Sequence, residues 1–385
     1  MTGARDTWVI VAGGGTAGHL VPGLALGRAL VERGHDPSSI HYVGSRRGIE
    51  ARMVPEAGFG LTELPGRGFV RHLSVNDTVG NVGAAWGLSR AAVMARRLVR
   101  RLRPSVVVAV GGYAAVACGL AAAAARVPLV VLEQNAVPGS ANRLLGRFAR
   151  ASAVSFPGTD LPRATVTGNP VRPEILAVDR SAAGQDAARA ALGVPAGRKL
   201  LAVTGGSLGS LRINQATLGA VGKWADRGDL AVRHAIGARD WDLIRSSVPP
   251  LPDGGLVYQP LQYEDRMDLL LAAADLVVCR AGGNTVAEIS AVGVPSVLVP
   301  LPGAPGDHQT ANARFLSDAG AAVLIPDDGF DAGALVGLVE PLLADPDRLA
   351  AMGRAAAACG RRDAADRAAA LVEAHALPAP GRGRR

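Results

Sequence analysis

Residues Leu276 to Gln309, LVVCRAGGNTVAEISAVGVPSVLVPLPGAPGDHQ, restrict the fold of this chain more than any other stretch. Leu276 to Cys279 is a short apolar run of the kind that fills a buried parallel strand, and it breaks at Arg280-Ala281-Gly282-Gly283-Asn284 before a helical pattern opens at Thr285. A strand, a glycine loop and a helix N-terminus follow one another. The first turn of such a helix turns unpaired N–H groups and the positive end of its dipole toward whatever lies above the loop, so a phosphate or pyrophosphate is its natural guest. Thr285 and Glu288 have capping-box spacing, which would leave Glu288 only to tie back the start of the helix. An acid one turn into a phosphate-binding helix is equally placed to accept the hydroxyls of a ribose. Both roles stay open at this point. A second strand, Ser296 to Pro300, precedes a Gly- and Pro-rich loop, Leu301 to His308, which makes Asp307, His308 and Gln309 candidates.

The same grammar occurs elsewhere. Trp8 to Ala12 reads as a strand, Gly13 to Gly18 as a loop and Pro22 to Glu32 as a helix; Leu200 to Thr204, Gly205 to Gly209 and the stretch from Arg212 repeat it. Val106 to Val110 leads into Gly111-Gly112-Tyr113, and Leu129 to Leu132 into Glu133-Gln134-Asn135. The expected fold is α/β, with two Rossmann-like doubly wound domains facing across a cleft. At 385 residues the chain exceeds one ordinary core, and Gly168-Asn169-Pro170-Val171-Arg172-Pro173 has the composition of a link. The expected division is an N-terminal domain over 1–172, a second domain over 173–359, a last helix over 360–377 that returns to the first, and a basic tail over 378–385.

Several classes are disfavoured. Val106 to Ala125 carries no charge over a length that spans a bilayer, but its glycines split it into a strand and an Ala-rich helix. There is no G-x-x-x-x-G-K-[ST]. The three cysteines lie far apart, as in a reduced cytosolic chain. Asp240-Trp241-Asp242 and Asp345-Pro346-Asp347 read as structural acids, not a metal pair. Gly13 to Gly18 matches G-x-G-x-x-G, yet the strand Ile40 to Val43 runs into Gly44-Ser45-Arg46-Arg47, where NAD binding calls for an acid. That arginine pair keeps an NADP oxidoreductase as a rival. The net charge is +8, with much of the excess in Arg90 to Arg103 and Arg382 to Arg385. Leu88, Ala92, Ala95, Val99 and Leu102 fall on one helical face, with Arg90, Arg97 and Arg101 away from it. Val75, Val79, Val82 and Trp86 form a second apolar stripe. Apolar residues beside arginines suit a peripheral contact with anionic lipid, although a solvated helix face gives the same pattern.

GGGTAGH (Gly13 to His19), GGY (Gly111 to Tyr113), EQN (Glu133 to Asn135), GNPVR (Gly168 to Arg172), TGGSLGSLRIN (Thr204 to Asn214) and CRAGGNTVAEI (Cys279 to Ile289), in that order, closely resemble the MurG family. The resemblance implies a GT-B fold and an inverting transfer of N-acetylglucosamine from UDP-N-acetylglucosamine to the 4-hydroxyl of the muramyl sugar of lipid I, giving lipid II for peptidoglycan. By motif match Glu288 would hold the ribose, Ser207 the pyrophosphate, Gln309 the donor sugar and Arg172 the donor from the link. Thr16, Ala17, Gly18 and Asn135 would complete the donor contacts, and Glu264 aligns with the segment that holds uracil through its backbone. Gly14, Gly15 and Tyr113 would belong to an acceptor phosphate loop. His19 is the candidate general base and Glu133 its competitor. Leu132 stands where many relatives have His, and Ala17 where glycine is common.

The resemblance calls for no cofactor, no metal and no nucleic acid. Its partners would be the sugar nucleotide, a polyprenyl-diphosphate-linked muramyl peptide and an anionic membrane surface, with the protein peripheral on the cytoplasmic side of the cell membrane. A related glycosyltransferase with another lipid-linked acceptor, and a sugar-nucleotide 2-epimerase, share the expected fold.

Overall fold

The computed structural model describes residues 7–46, 48–65, 75–206 and 208–378, with the backbone alone for 75–88. Two compact units emerge, Met1–Val171 with Asp363–Arg385 and Arg172–Arg362.

In the first unit β1 (Val9–Gly13), β2 (Ile40–Ser45), β3 (Gly60–Leu64), β4 (Val106–Gly111), β5 (Leu129–Glu133), β6 (Ala151–Val154) and β7 (Ala164–Val166) form a parallel sheet in the order β3-β2-β1-β4-β5-β6-β7. Every residue of β1 and β4 is buried, as expected of continuous Val-rich runs covered on both faces. Helices α1 (Ala17–Glu32), α2 (Glu50–Glu56), α3 (Val75–Leu102), α4 (Gly112–Ala125) and α5 (Ser140–Leu145) connect the strands. One face of the sheet is covered by α3, α4 and α5, through Ala91, Ala95, Leu98, Val99, Cys118 and Leu145. The other is covered by α1, through Leu20, Leu24, Leu26 and Leu30, and by the last helix, Ala364–His375, through Ala368, Ala369 and Val372. Since that helix presents mostly alanines, it buries little apolar area, and Arg33 of the α1 C-cap supplements the packing with contacts of 2.6 Å each to Asp366 and Glu373. Solvent screens partly exposed pairs of this kind, so they contribute little.

The strand order reverses between β1 and β4, so the loops after these strands, at Gly13 and Gly111, meet at the carboxyl edge of the sheet. That crevice is where doubly wound folds bind ligands.

The second unit repeats the plan. Its strands β8 (Lys199–Thr204), β9 (Leu230–Ala235), β10 (Val257–Leu261), β11 (Leu276–Cys279), β12 (Ser296–Leu298) and β13 (Ala322–Leu324) are parallel, in the order β10-β9-β8-β11-β12-β13. The reversal lies between β8 and β11, which brings the Gly205 loop beside the Gly282 loop. Trp224 and Phe330 are fully buried in the core of this unit, and the Trp224 indole N–H donates to Glu340.

Four readings of the sequence change. Helix α1 begins at Ala17, not Pro22; Pro22 lies inside the helix, where it supplies no N–H to the Gly18 carbonyl four residues before it. The strand after Gly293 ends at Leu298, and the expected loop contains a short turn of helix, Pro305–Asp307, and the start of the helix His308–Ser317. The buried face of α3 is rotated: Ala91 and Leu98 are inside with Ala95 and Val99, whereas Ala92 is exposed. In a stretch so rich in alanine, small apolar residues occupy both faces and the period alone cannot choose between them. The proposed stripe of Val75, Val79, Val82 and Trp86, and Leu88 with it, lies outside the residues whose side chains are described.

Candidate active site

Helix α1 starts in the crevice of the first unit. Thr16, in extended conformation, is its N-cap, and the N–H groups of His19 and Leu20 donate to its carbonyl. Thr16, Ala17 and Gly18 therefore form the cap and first turn. Ala17 is helical, so replacing glycine there requires no left-handed backbone. His19 projects half-buried from this turn across the Gly111 backbone, where a methyl group on Gly111 would come within 2.7 Å of the imidazole ring. Its Nδ1 lies 3.4 Å from the Gly14 carbonyl oxygen and 3.4 Å from Thr16 Oγ1. A carbonyl can only accept, so this contact favours the tautomer with the proton on Nδ1 and leaves Nε2 as the accepting nitrogen. Burial holds the imidazole below its ordinary pKa, against the opposing influence of Glu133 and Glu50. His19 is accordingly a neutral ring near neutral pH.

Glu133 does not have the setting of a base. It is 2% exposed, and both carboxylate oxygens are occupied: Oε1 accepts from the Asn135 N–H (3.0 Å) and Nδ2 (3.3 Å), Oε2 from the Gly139 N–H (3.0 Å) and Asn142 Nδ2 (2.9 Å). A carboxylate with four donors is a loop anchor, and here it shapes the segment that carries Asn135. The Tyr113 hydroxyl is likewise engaged, donating to the Leu64 carbonyl at 2.6 Å, and burial raises its pKa. Gly14 and Gly15 are where the loop was expected, and a methyl group on Gly15 would face open space. The Gly15 N–H, however, is bonded to the carboxylate of Glu50. The sequence reading passed over this acid, which stands alone among GSRRGIEARM with no motif to mark it.

In the second unit the helix Gly283–Val292 begins on Gly282, so Thr285 lies inside it and no capping box forms. Glu288 instead faces Arg172, whose Nε and Nη2 stand 3.0 and 2.9 Å from Oε1. Burial raises the pKa of Glu288 and Arg172 opposes that rise. Gln309, in the first turn of the helix His308–Ser317, accepts through Oε1 from the Ala281 N–H (3.1 Å) and the Leu301 N–H (3.0 Å), and so ties together the loops after β11 and β12. The side chain of Glu264 is turned inward to Arg233 at 2.5 Å and to the Arg266 N–H at 3.0 Å. Ser207 lies outside the described residues.

Arg280 is a second residue the sequence reading missed. It is 9% exposed and joins three loops: Nη2 donates to Ser210 Oγ at 2.6 Å, and Nη1 to Asp327 at 2.6 Å and to the carbonyls of Val299 and Pro300. Ser210 in turn caps the helix Leu211–Lys223. The only sequence sign was an arginine directly after a buried strand, where a charge must find partners. These contacts fix two glycine loops and two helix N-termini at one edge of the sheet, an arrangement suited to a diphosphate.

Similar proteins bear on both units. Residues 9–154 match the Glycosyltransferase family 28 N-terminal domain and residues 200–368 the Glycosyltransferase family 28 C-terminal domain. A UDP-N-acetylglucosamine--N-acetylmuramyl-(pentapeptide) pyrophosphoryl-undecaprenol N-acetylglucosamine transferase from Nocardioides sp. is 44% identical over 364 residues, 94% of this chain and 97% of the relative. A protein of the same name from Desulforudis audaxviator is 40% identical over 95% of this chain and 97% of its own length. Among solved structures, Acinetobacter baumannii MurG is similar with a TM-score of 0.74 and 28% identity, covering 96% of this chain and 99% of that one.

Proposed function

We infer the reaction from membership, because the chain belongs to glycosyltransferase family 28 and, within it, to the MurG family of N-acetylglucosamine transferases. It moves N-acetylglucosamine from UDP-N-acetylglucosamine to the muramyl sugar of an undecaprenyl-diphosphate-linked muramyl pentapeptide, forming lipid II. The observation that carries this reading is the near full-length identity, together with a phosphate-suited crevice at the strand-order reversal of each unit.

The donor belongs to the second unit in this reading. Glu288 accepts the ribose hydroxyls, the Gly205 and Gly282 loops receive the diphosphate, and the helix dipoles behind them stabilise the departing UDP as negative charge builds on it. The segment at Glu264 offers its backbone to the uracil, and Gln309 stands by the sugar. Arg172, paired with Glu288, brings a cation to the same edge. The acceptor belongs to the first unit, near the cap of α1, where Nε2 of a neutral His19 takes the proton of the attacking 4-hydroxyl as the new bond forms from the face opposite UDP. His19 is preferred to Glu133 because Glu133 already accepts four hydrogen bonds.

The layer of α3, α4 and α5 is the proposed membrane face. It exposes Val93, Leu120 and Phe148, with Arg90, Arg97, Arg143 and Arg147 exposed on the same helices or just beyond α5. Apolar side chains among cations suit the headgroup region of an anionic bilayer. Among the described residues no helix is long and apolar enough to cross a membrane.

The test is transfer of radiolabel from UDP-N-acetylglucosamine to a lipid I analogue. A labelled disaccharide lipid with UDP released is expected; UDP release without a labelled lipid, or no reaction, would overturn the assignment.

A further inference from the structure

The reaction above leaves Glu50 without a role. It opens α2, is 1% exposed, and lies with its carboxylate under the glycine loop. Three glycines make room for it. A methyl group on Gly14 or Gly48 would overlap the carboxylate, and one on Gly44 would stand 3.0 Å from the side-chain carbons. Oε1 accepts the Gly15 N–H, whereas Oε2 is buried and has no hydrogen-bond partner among the described residues. A buried carboxylate with one unsatisfied oxygen is costly, and a core that needed only filling would hold an apolar side chain.

The N–H of Gly15 and the carbonyl of Gly14 belong to one peptide group, which is planar and carries them on opposite sides. Glu50 holds one end of this plane, and the other end faces His19 Nδ1 at 3.4 Å. Gly14, with φ of 138°, and Gly15, with φ of 88°, are in backbone regions that only glycine enters freely, so without a fixed partner the peptide between them would rotate easily. We propose that Glu50 is a positioning residue for the transfer: by binding the N–H end of the Gly14–Gly15 peptide it holds the carbonyl end against His19 and thereby sets the tautomer and plane of the imidazole. This rests on the reading of His19 as the base. The titratable groups that face His19 are Glu50 from α2 and Glu133 from β5, and both favour the imidazolium. Glu50 therefore also tunes the ring electrostatically.

The test uses the full chain with Glu50→Ala, Glu50→Gln, His19→Asn and the Glu50→Ala/His19→Asn double variant. Readouts are kcat, its pH profile, UDP affinity, and the ¹⁵N shifts of the His19 ring, which report its tautomer. Glu50→Ala should lower kcat by about 10²-fold, the effect of a misplacement of about 1 Å, with UDP affinity unchanged and the ring in mixed tautomers. Glu50→Gln keeps an acceptor for the Gly15 N–H, so it should retain most of kcat while the acid limb of the profile moves to lower pH. In the His19→Asn background, Glu50→Ala should have little further effect. An equal loss in both backgrounds, or an unchanged tautomer and acid limb, makes Glu50 a packing group and overturns the proposal. Should the alanine variant fail to fold, the ring shifts and acid limb of Glu50→Gln decide. Near-parental kcat in His19→Asn would instead remove His19 as the base, and the ring shifts would still report whether Glu50 orients it.

Discussion

Arg172 and Glu288 meet on a single carboxylate oxygen, with Nε and Nη2 of the arginine 3.0 and 2.9 Å from Oε1. Arg172 thus neutralises a buried acid through Oε1, and in the proposed donor site Oε2 is the oxygen offered to a ribose hydroxyl. Glu288→Gln should lower UDP affinity by about 1.5 to 3 kcal/mol, the range for a hydrogen bond to a charged group. Calorimetric titration with UDP measures this, and unchanged affinity would remove Glu288 from the donor site.

Affinity for UDP should also depend on pH through the same residue. The pKa of Glu288 lies above its ordinary value of 4.5, so UDP binding should weaken as pH falls through that raised value. The carboxyl is protonated more readily in the folded chain than in the unfolded one, so its contribution to stability falls as pH rises between the two values. Because Arg172 opposes the rise, Arg172→Ala should push the midpoint of the UDP-binding curve to higher pH. A midpoint that stays in place would mean that the pair is not coupled to the donor.

His19→Asn removes proton acceptance and keeps a hydrogen-bonding side chain. Its kcat should fall by about 10² to 10⁴, the usual contribution of a general base, with UDP affinity intact. In the parent the acid limb of kcat should lie below the ordinary histidine value of 6.5. The unfolded chain binds the proton more readily here, so stability from the neutral ring is present above 6.5 and is lost as pH falls toward the depressed value. An acid limb at or above 6.5 would assign it to another group.

Charge reversal tests the membrane face. Arg97→Glu with Arg147→Glu should weaken binding to anionic vesicles by about 1 kcal/mol or more for each lost cation, and the loss should shrink at high salt. Sedimentation with phosphatidylglycerol vesicles reads the effect. Equal pelleting of variant and parent would leave these arginines as a solvated surface.

Much of the framework was legible because a parallel strand, a glycine loop and a helix leave a local signature, and this chain writes it at Gly13, Gly205 and Gly282. Arg172 and Glu288 were both named from motifs, but their pairing joins residues far apart in the chain and has no local trace. Glu50 and Arg280 escaped for the same reason: each is a single charged residue whose meaning depends on which backbone groups the sheet edge brings to it. For Glu133, EQN shows an acid at a strand end without showing the four donors that fold back upon it. The rotation of α3 escaped because alanine is tolerated on either side of a helix.

The last helix, Ala364–His375, completes a core whose other walls are laid down by Val166, and the whole second unit is synthesised in between. A ribosome therefore delivers the first sheet with Val108 and Val130 lacking part of their cover, and supplies that cover only after the second unit has been made. During that interval the nascent first unit presents an open apolar groove along one face. Domains fold largely as units during synthesis, so the second unit, though encoded later, is the first that can close completely.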